Sequence, residues 1–441
     1  MASSAPGGSE AHTSGPSESR APRVVVLSEF YPRREDPVLG VWAHRQALAA
    51  QAAGVDLQVL VLHRLVPPRA AFASGPRQVS AAFASLLRQP RTEVHDGLPV
   101  TYVRYISPPR SRSYAHWGRW AAPALALALR RLRRAGFAFD LIHAHNALPA
   151  GDAALRAYSA TPLVISVHGG DLLYTAPRLP GGSESVRRTL RKARLVLANS
   201  QGIAELARAH GARETRVVRL GATLPGPGAG GEMAGTGSRT PGSSSGTPAV
   251  SAVTGVIATA PVLVTVGHLV ARKRHADVMR ALTVLSASHP TLRYVIIGEG
   301  PERPALEALA RRLSVSERIE FCGQLEPASA LERMRSCTLF VMPSTEEAFG
   351  VAYIEAMAAG LPAIGCRGEP GPEEIAQAGD GFVLVPPGDI ERLSQRIDEL
   401  LCDPDRLREA GRRARATVAA NFTWESCGAQ TRRAYEDALR P

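Results

Sequence analysis

Cysteine is scarce in this sequence, with only five among 441 residues, and no two of them form a Cys-x-x-Cys unit or another metal-like spacing. This scarcity excludes a disulfide-stapled scaffold and a zinc-ribbon type of site. We therefore expect reduced thiols, in the core or on the surface of a cytosolic protein. The cysteines all lie in the C-terminal half, at Cys322, Cys337, Cys366, Cys402 and Cys427.

Long apolar runs are also missing. The most apolar window, residues 121–129, is far shorter than the roughly 20 residues that span a bilayer, and arginines end it. Residues 1–22 are rich in Ser, Gly, Pro and Ala and lack the apolar core of a signal peptide. We expect a disordered tail there and a cytoplasmic protein without a membrane-spanning helix.

Motifs for two common ligand classes are absent. Neither the first strand-to-helix turn, residues 27–32, nor the glycine-containing turn at residues 297–301 has the Gly-x-Gly-x-x-Gly pattern of dinucleotide-binding folds. The sequence has no zinc-finger or RNA-binding signature either. It thus argues against a nicotinamide cofactor and against nucleic acid as a partner.

Positive charge is concentrated in one half of the chain. Residues 1–224 carry 29 Lys and Arg against 14 Asp and Glu, a net +15, whereas the remainder carries 23 against 26, a net −3. Such a half can attract an anionic lipid surface or an anionic substrate, although an arginine-rich composition explains it equally well. The basic clusters at residues 130–134 and 187–194 are our candidates for peripheral contact with the inner face of an anionic membrane.

Length and pattern predict two domains, because 441 residues exceed what one hydrophobic core usually holds. Short apolar runs alternate with helical-looking segments on both sides of a Gly-, Pro- and Ser-rich stretch. This predicts an α/β protein with two Rossmann-like, doubly wound parallel-sheet domains that face a central cleft, where ligands bind at the carboxyl ends of the strands. The predicted segments are a disordered tail at 1–22, an N-terminal domain at 23–224, a linker or insertion at 225–256, a C-terminal domain at 257–420 and a closing amphipathic helix at 421–441.

A strand-to-helix turn within residues 344–362 carries the clearest chemical signal. The apolar run 338–342 predicts a buried strand, and the helix that follows begins near Gly350. A helix N-terminus presents unpaired N–H groups and partial positive charge. The amides of Phe349, Gly350 and Val351 are therefore candidates to bind a diphosphate, and Gly350 would let it approach closely.

Two glutamates flank this turn. Glu355 lies one turn into the helix, where its side chain leans back toward the helix start and can meet ribose hydroxyls. Glu347 precedes the helix and would face a sugar. The alternative is that both acids merely complement the helix dipole, which is common for a single Glu. Because Glu355 stands among apolar residues with little solvated surface, we favour the binding role.

The residues from Glu347 to Pro362 resemble the Glu-x7-Glu signature of the retaining glycosyltransferases of the large family 4, also called glycosyl transferases group 1. The resemblance implies a GT-B architecture, in which the C-terminal domain binds a nucleotide-diphosphate sugar and the N-terminal domain binds the acceptor. It also implies that the closing helix crosses back onto the N-terminal domain. The likeness covers about residues 23–439 apart from the linker and is stronger in the C-terminal domain.

Two cations follow the first strand of the C-terminal domain. Arg272 and Lys273 come after the apolar run 261–267, so they reach the same carboxyl edge as Glu347. A solvated basic loop is the alternative and, for the loop alone, the more common one. Beside the acidic motif we favour neutralisation of a leaving diphosphate, and Lys273 resembles the family's diphosphate lysine.

Further positions are assigned by the resemblance. Gly40, after the first strand, resembles the family's glycine-bearing donor loop, and Gly298 with Glu299 resembles a glycine-rich turn near the nucleotide base. His168 matches a histidine that contacts the donor sugar or its phosphate. A hydrogen-bonded structural histidine is the usual alternative, and it applies more strongly to the two histidines within residues 143–145.

Together these residues predict a retaining transferase that moves a sugar from a nucleotide-diphosphate sugar to a hydroxyl, with Glu347, His168 and Lys273 as catalytic residues. No Asp-x-Asp motif stands beside them, so we expect no metal or other cofactor. Whether Glu347 is a nucleophile or only holds the sugar is left open, as are the donor base and the sugar. The loop at residues 30–42 resembles enzymes that build cell-surface polysaccharides or glycolipids on a lipid carrier.

Three other functions remain compatible with the sequence. Another enzyme of the same architecture, a disaccharide synthase or a nucleotide-sugar epimerase, is the nearest. A non-catalytic nucleotide-sugar binding protein would keep the fold but release no nucleotide diphosphate. A basic scaffold at a membrane would bind anionic vesicles and ignore nucleotides. We favour the transferase because the two acids, the lysine and the histidine occur together in matching places.

Overall fold

The computed structural model describes residues 20–225 and 260–440. The predicted tail up to residue 19 and the predicted linker from residue 226 onward lie outside the described residues. The predicted α/β class is confirmed in the described part, which contains two sheets covered by helices.

The first sheet contains eight strands, which follow the short apolar runs of the N-terminal half. They are β1 (Arg23–Ser28), β2 (Asp56–Arg64), β3 (Thr92–His95), β4 (Leu98–Tyr105), β5 (Leu141–His145), β6 (Leu163–Val167), β7 (Leu195–Ala198) and β8 (Thr215–Val217). Their spatial order is β3-β4-β2-β1-β5-β6-β7-β8, and only the β3–β4 pair is antiparallel. Strands β1, β6 and β7 are apolar along most of their length because helices cover both faces of the sheet.

The second sheet contains six parallel strands from the C-terminal half. They are β9 (Val262–Val266), β10 (Arg293–Ile297), β11 (Ile319–Gly323), β12 (Leu339–Val341), β13 (Ala363–Cys366) and β14 (Phe382–Val385). The order is β11-β10-β9-β12-β13-β14, so the chain starts in the middle and winds outward in both directions. The order reverses between β9 and β12, which is where such sheets bind their ligands.

Helices connect the strands and pack on both faces of each sheet. In the N-terminal half they are α1 (Val41–Ala52), α2 (Arg69–Ser74), α3 (Pro76–Arg88), α4 (Arg110–Ser113), α5 (Trp117–Arg134), α6 (Asp152–Ala157), α7 (Ala176–Arg178), α8 (Gly182–Lys192) and α9 (Gln201–Ala209). In the C-terminal half they are α10 (His275–Val284), α11 (Arg303–Arg312), α12 (Pro327–Arg335), α13 (Val351–Ala358), α14 (Pro370–Ala378), α15 (Ile390–Leu401), α16 (Pro404–Asn421) and α17 (Trp424–Leu439). None of the helices in the described ranges combines the length with the apolarity that a bilayer crossing requires.

The closing helix α17 packs on the N-terminal half, against α1. The hydroxyl of Tyr435 lies 2.7 Å from Nδ1 of His143, in the middle of β5. One buried apolar cluster runs from the first sheet through Phe422 to Phe349 at the start of α13. The two halves therefore share part of their core, and neither is expected to fold fully alone.

Residues that precede β1 also pack against the first sheet. Arg20 lies 2.6 Å from Asp140, and the carbonyl of Pro22 accepts a hydrogen bond from the amide of Asp56. Residues 20–22 thus contact the sheet, whereas the sequence predicts a disordered tail there.

The carboxyl edges of the two sheets face each other and touch. The hydroxyl of Ser200, after β7, donates to the carbonyl of Ala348 at 2.9 Å, and Nη2 of Arg219 lies 2.6 Å from the carboxylate of Glu374. These contacts line up the strand ends of both sheets along one cleft.

Candidate active site

Glu347 lies in the turn that joins β12 to α13, as the sequence predicted. Gly350 caps the helix with a φ of 82°, in the left-handed region that favours glycine. A Cβ at this position would lie 2.4 Å from the ring of Tyr353. Only glycine fits there, so the turn keeps its shape and α13 begins at Val351.

Glu347 and Lys273 form a buried ion pair across the loops after β12 and β9. Nζ of Lys273 is 2.6 Å from Oε2 of Glu347, and the two side chains are only 11% and 10% exposed. The same oxygen lies 3.5 Å from Nη1 of Arg272 and accepts a hydrogen bond of 3.1 Å from the hydroxyl of Ser344. Burial raises the pKa of Glu347, but the charges of Lys273 and Arg272 outweigh it and hold the pKa below its usual value. The carboxylate is therefore ionised at neutral pH.

The backbone beside this pair adopts uncommon conformations. Glu346, just before Glu347, has a φ of 54°, and Arg274, just after Lys273, has a φ of 56°. Non-glycine residues enter this left-handed region at an energetic cost, and such residues concentrate at functional sites. The amide of Glu347 also donates to Oε2 of Glu369 at 2.8 Å, which helps to hold the turn.

The residue type at position 273 is not explained by composition. Of the 52 basic residues only two are lysine, Lys192 and Lys273. Lys192 is exposed, whereas Lys273 is buried with its ammonium 3.5 Å from Sδ of Met342. A compact ammonium makes a point contact where a planar guanidinium needs more room. Because nearly all other basic residues of the chain are arginine, we infer that the lysine at position 273 makes a specific contact.

The N-terminus of α13 offers backbone donors beside the ion pair. Within residues 20–225 and 260–440, no acceptor is found for the amides of Phe349, Gly350 and Val351. The Phe349 side chain takes no part, because its ring is buried 5.8 Å from that of Phe422. Phe349 can thus contribute only its backbone to a ligand.

Glu355 lies one turn into α13, as expected, and is partly buried. Burial raises its pKa to about 7, and the nearby charge of Arg45 opposes that rise. Arg45 belongs to α1 of the N-terminal half, so this carboxyl group lies where the two halves approach each other. It is half ionised near neutral pH and can accept hydrogen bonds from a polar ligand.

His168 follows β6 and faces a histidine of the neighbouring strand. Its Nε2 lies 2.9 Å from Nδ1 of His145, and the two rings are parallel within 4°. The ring of Trp42 is 6.1 Å from that of His168. Nδ1 of His168 and Nε2 of His145 are buried without a partner in the described residues, whereas both nitrogens of His143 are bonded. Burial lowers the pKa of His168 to about 4, so the ring is neutral at neutral pH and keeps one nitrogen for a ligand.

The remaining predicted donor residues are separate from this cluster. Gly40 has a φ of 66° and lies against the loop after β1, where a Cβ would be 2.1 Å from the carbonyl oxygen of Phe30. Gly298 packs on the backbone of Gly267, and Glu299 pairs with Arg303. Among the described residues, no hydrogen bond or ion pair joins Glu299 to Glu347, so the site is assembled from Glu347, Lys273 and their neighbours, and the role of the other residues stays a prediction.

Three members of the site were missed by the sequence reasoning. Ser344 and Glu369 bond to Glu347, one through its side chain and one through its backbone. Both follow a strand of the second sheet and stand in a polar stretch of turn-forming residues. This position is the sequence signal that could have identified them as members of the site. Arg45 stands on a helix of the other half, and no local pattern relates it to Glu355.

Metal-ligating groups lie elsewhere in the described residues. An Asp-x-Asp sequence does occur at residues 403–405, but its first carboxylate caps α16 by accepting two backbone N–H groups. One group of three potential ligands, formed by His289, Asp398 and Cys402, is found in the described ranges, and none of the three contacts Glu347. Metal independence of the candidate site stays a prediction.

Two family models match this chain. Residues 248–417 match the model described as glycosyl transferases group 1, and residues 39–223 match the model described as glycosyl transferase 4-like domain. The first of these matches contains all six strands of the second sheet, and the other contains strands β2 to β8 of the first sheet, so together they cover most of the chain.

Named relatives are similar to parts of the chain. A GDP-mannose-dependent monoacylated alpha-(1-6)-phosphatidylinositol monomannoside mannosyltransferase of Corynebacterium glutamicum is 32% identical over 181 residues, which are 40% of this chain and 46% of that protein. The putative teichuronic acid biosynthesis glycosyltransferase TuaC of Bacillus subtilis is 25% identical over 344 residues, 78% of this chain and 80% of that protein. In most such matches the chain spans about half the length, or less, of the curated relatives.

A solved structure shares the fold over nearly the whole chain. HepE of Anabaena, in complex with UDP and glucose, superposes with a TM-score of 0.63 at 20% sequence identity, covering 94% of this chain and 99% of that chain. This likeness confirms the predicted GT-B architecture of two facing doubly wound sheets. With a family model matching each of its two sheets, the chain belongs to the group 1 glycosyltransferases.

Proposed function

We propose that this protein is a retaining glycosyltransferase that moves a sugar from a nucleotide-diphosphate sugar to a hydroxyl of an acceptor. The observation that carries the proposal is the buried pair of Lys273 and Glu347 beside the N-terminus of α13. Buried charges are costly to hold and are kept where they serve a ligand or a reaction. Cations suit a diphosphate and a carboxylate suits sugar hydroxyls, so this pair matches a sugar diphosphate.

In the proposed complex the donor lies along the carboxyl edge of the second sheet. The diphosphate is bound by the free amides of α13 and by Lys273 and Arg272. Glu355 accepts hydrogen bonds from the ribose hydroxyls, and Glu347 accepts them from the sugar. The turn at Gly298 and Glu299 borders the base, and Gly40 lets the N-terminal half approach the donor.

The chemical step breaks the bond between the anomeric carbon and the diphosphate oxygen. Negative charge grows on the leaving diphosphate, and Lys273, Arg272 and the helix amides stabilise it without having to reorient. The acceptor oxygen bonds to the anomeric carbon from the same face, and its proton passes to a diphosphate oxygen. In this scheme Glu347 holds the sugar and its positive charge in place, and neutral His168 bonds to a sugar hydroxyl. No metal ion is needed, because protein cations neutralise the diphosphate.

The acceptor is proposed to be a lipid-linked or cell-surface precursor, such as a glycolipid or a polysaccharide intermediate. The relatives named above act in phosphatidylinositol mannoside and teichuronic acid synthesis, which supports this class without identifying the molecule. The basic N-terminal half, with its net +15, suits a substrate held at an anionic membrane.

The donor is tested by thermal unfolding with UDP-, GDP- and ADP-sugars. A bound donor raises the melting temperature by mass action, and the preferred base gives the largest shift. Turnover is then measured as release of nucleoside diphosphate, in the presence of EDTA. Loss of turnover in EDTA that added Mg²⁺ restores would reject the metal-independent scheme.

The role of Glu347 is tested by Glu347→Gln, with the exposed Glu391→Gln as the matched control. We expect roughly a hundredfold lower turnover with donor affinity changed only a few-fold, because the charge acts mainly in the transition state. Unchanged turnover would remove Glu347 from the mechanism.

The same assay separates the competing functions. A nucleotide-sugar binding protein would be stabilised by donor and release no nucleoside diphosphate with any acceptor. An epimerase would change the donor sugar without an acceptor. If the anomeric configuration of the new glycosidic bond is opposite to that of the donor, the proposed retaining mechanism is rejected.

A further inference from the structure

Arg110 is a cation without a hydrogen-bond partner at the carboxyl edge of the first sheet. It begins α4, in the connection that follows β4, and its side chain is 50% exposed. Within residues 20–225 and 260–440 its guanidinium forms no hydrogen bond, and the nearest carboxylate oxygen, on Glu29, is 4.0 Å away. All five of its N–H donors are therefore left for water or for a ligand.

Aromatic rings nevertheless hold this guanidinium in place. Its central carbon lies 4.1 Å from the centre of the Tyr114 ring, and the rings of Phe30 and Trp117 are 5.8 Å and 5.9 Å away. A guanidinium that stacks on an aromatic face keeps the N–H groups along its edge available. Arg110 is thus positioned to bind an anion without losing much side-chain freedom.

Arg64, at the end of β2, shows how a structural arginine of the same region is bonded. Its Nε donates to the hydroxyl of Ser107 at 2.8 Å, and its Nη2 donates to the carbonyls of Ser107 and Pro108, both at 3.1 Å. Its guanidinium also stacks on Trp117, at 4.4 Å. Arg64 and Arg110 therefore share an aromatic neighbour, but only Arg64 uses its donors inside the protein.

Two further donors beside Arg110 are buried and unpaired. In the part of the chain that the structure describes, no acceptor is found for Nε of Arg33 or for the hydroxyl of Tyr105, which is only 4% exposed. Burial raises the pKa of this phenol. The charges that act on it most strongly belong to Glu29, Arg64, Arg33 and Arg110. These four residues and Tyr105 are close together, and we call them the Arg110 cluster.

Glu29 does not neutralise the arginines of the cluster. Its carboxylate accepts a hydrogen bond of 2.8 Å from the hydroxyl of Tyr114, and its backbone carbonyl accepts one of 3.1 Å from Nη2 of Arg33. Burial raises the pKa of Glu29, and the charge of Arg110 opposes this rise. Three guanidinium groups thus stand beside one carboxyl group, so the cluster has a net charge of +2 even when Glu29 is ionised.

A row of aromatic rings leads from the Arg110 cluster to His168. The ring of Phe30 is 5.8 Å from the Arg110 guanidinium and 6.5 Å from the ring of Trp42, which in turn is 6.1 Å from that of His168. Phe30 and Trp42 are both partly exposed. Aromatic faces with a few polar groups at their ends are typical of ligand sites. A short glycan along this row would place one end at Arg110 and a hydroxyl near His168.

We propose that the Arg110 cluster binds a phosphate group of the acceptor, so that the acceptor is a sugar joined to phosphate or diphosphate whose hydroxyl reacts near His168. This inference rests on the proposed function, because it assigns the phosphate to the acceptor and the diphosphate at α13 to the donor. Guanidinium groups bind phosphate oxygens through paired hydrogen bonds, and the Tyr105 hydroxyl supplies a further donor.

Charge favours a phosphate over the other groups that an acceptor can present. A phosphate monoester carries close to two negative charges at neutral pH and balances the net +2 of the cluster. A carboxylate would balance half of it, and a neutral sugar would leave Arg110 unpaired. Two acceptors share the phosphate chemistry, a soluble sugar phosphate and a sugar joined to a lipid carrier through diphosphate.

The proposal is tested by calorimetric titration of the full chain with sugar phosphates. The probes are the 1-phosphates of glucose, mannose, galactose and N-acetylglucosamine, each paired with its methyl glycoside, and a saturating nucleoside diphosphate fills the donor site. We expect at least one 1-phosphate to bind about tenfold or more tightly than its methyl glycoside. A sugar diphosphate with a short prenyl chain separates the two sources, since it should bind more tightly still if the acceptor is carrier-linked and no more tightly if it is soluble.

The contribution of Arg110 is isolated by Arg110→Gln. This variant should bind the sugar phosphate at least about tenfold more weakly and the methyl glycoside as the wild type does, and Arg110→Lys should recover only part of the loss. Arg112→Gln is the matched control on α4, because Arg112 is exposed and forms no hydrogen bond or ion pair within the described ranges. In turnover, Arg110→Gln should lower kcat/KM for the acceptor mainly through KM.

Tyr105→Phe distinguishes a ligand site from a structural cluster. Because the hydroxyl of Tyr105 has no partner, its removal should leave the melting temperature unchanged or higher, while the affinity for sugar phosphate falls about fivefold. Tyr102→Phe on the same strand is the control, since the Tyr102 hydroxyl donates to the carbonyl of Pro32 at 2.7 Å. Its loss should lower the melting temperature and leave the affinity unchanged. A lower melting temperature with unchanged affinity in Tyr105→Phe would remove Tyr105 from the site.

The phosphate site and the transferase function can fail separately. The thermal shift with donor should be the same in Arg110→Gln and in the wild type. If no donor stabilises the protein but sugar phosphate binding depends on Arg110, the transferase proposal fails and the phosphate site stands. Equal binding of the 1-phosphates and the methyl glycosides would overturn the phosphate site. So would binding that survives Arg110→Gln but is lost in Lys273→Met/Glu347→Gln, because the phosphate would then occupy the donor site.

Discussion

Gly169 of the N-terminal half lies directly against Ala348 of the C-terminal half. A Cβ on Gly169 would be 2.2 Å from Cβ of Ala348, and Gly169 has a φ of 93°. Gly169 follows His168, and Ala348 follows Glu347, so this contact sets how closely the histidine of one half approaches the glutamate of the other. Only a residue without a side chain allows that approach.

Replacing Gly169 should therefore separate the two halves of the site. We expect Gly169→Ala to lower turnover at least about tenfold while affinity for the proposed donor, which we assign to the second sheet, falls only a few-fold. Gly170→Ala is the matched control, because a Cβ there meets nothing within 4 Å. Turnover and donor affinity are measured separately. If Gly169→Ala is as active as Gly170→Ala, the close approach is not required for catalysis.

Removing Lys273 should affect stability as well as activity. Lys273→Ala leaves the buried carboxylate of Glu347 without its closest cation, and we expect the free energy of unfolding to fall by about 3 kcal/mol. The other lysine of the chain supplies a control, since exposed Lys192→Ala should change neither stability nor turnover.

A double variant separates the two effects of Lys273. Lys273→Met/Glu347→Gln removes both charges and should recover most of the lost stability, while turnover stays low. Urea unfolding and nucleoside diphosphate release measure the two properties. Recovery of turnover in the double variant would contradict the proposed role of the pair.

Donor affinity should depend on the ionisation of Glu355. Burial raises the pKa of this carboxyl to about 7, so it is mostly ionised at pH 8 and mostly protonated at pH 6. If ribose hydroxyls bind the carboxylate, the dissociation constant at pH 6 should be up to about tenfold higher than at pH 8. Glu355→Gln should bind more weakly than the wild type at pH 8 and show little change with pH. A wild-type affinity that is constant over this range would argue against the ribose contact.

Acid should destabilise the fold through its buried histidines. Burial lowers the pKa of His168 to about 4, below the value near 6.5 of an unfolded chain. As the pH falls from 6.5 to 4, the unfolded chain gains a proton that the folded protein does not, so stability is lost. Glu355 and Asp171, whose pKa values burial raises to about 7, act in the opposite direction over the same range.

The contribution of His168 is isolated by comparison with His168→Gln. Between pH 7.5 and pH 4.5 the wild type should lose about 2 kcal/mol more unfolding free energy than this variant, as measured by urea titration at each pH. Equal losses in the two proteins would show that His168 is protonated in the folded state.

The alternation of apolar runs predicted both sheets because parallel strands buried on two faces must be apolar throughout. The turn at Glu347 was predictable for a similar local reason. A strand end, a glycine that caps a helix and a glutamate on each side of it all stand within one short stretch. The strand end, the capping glycine and the two glutamates are close together in sequence, so the sequence alone is enough to predict their arrangement.

The sequence by itself thus determined the two doubly wound domains, the Glu347 turn and the cations that follow β9. Only the tertiary structure decided which groups meet: Lys273 with Glu347, His145 with His168, Arg45 near Glu355, and Gly169 with Ala348. These partners stand on different strands or on opposite halves, and their approach depends on how the two sheets are placed.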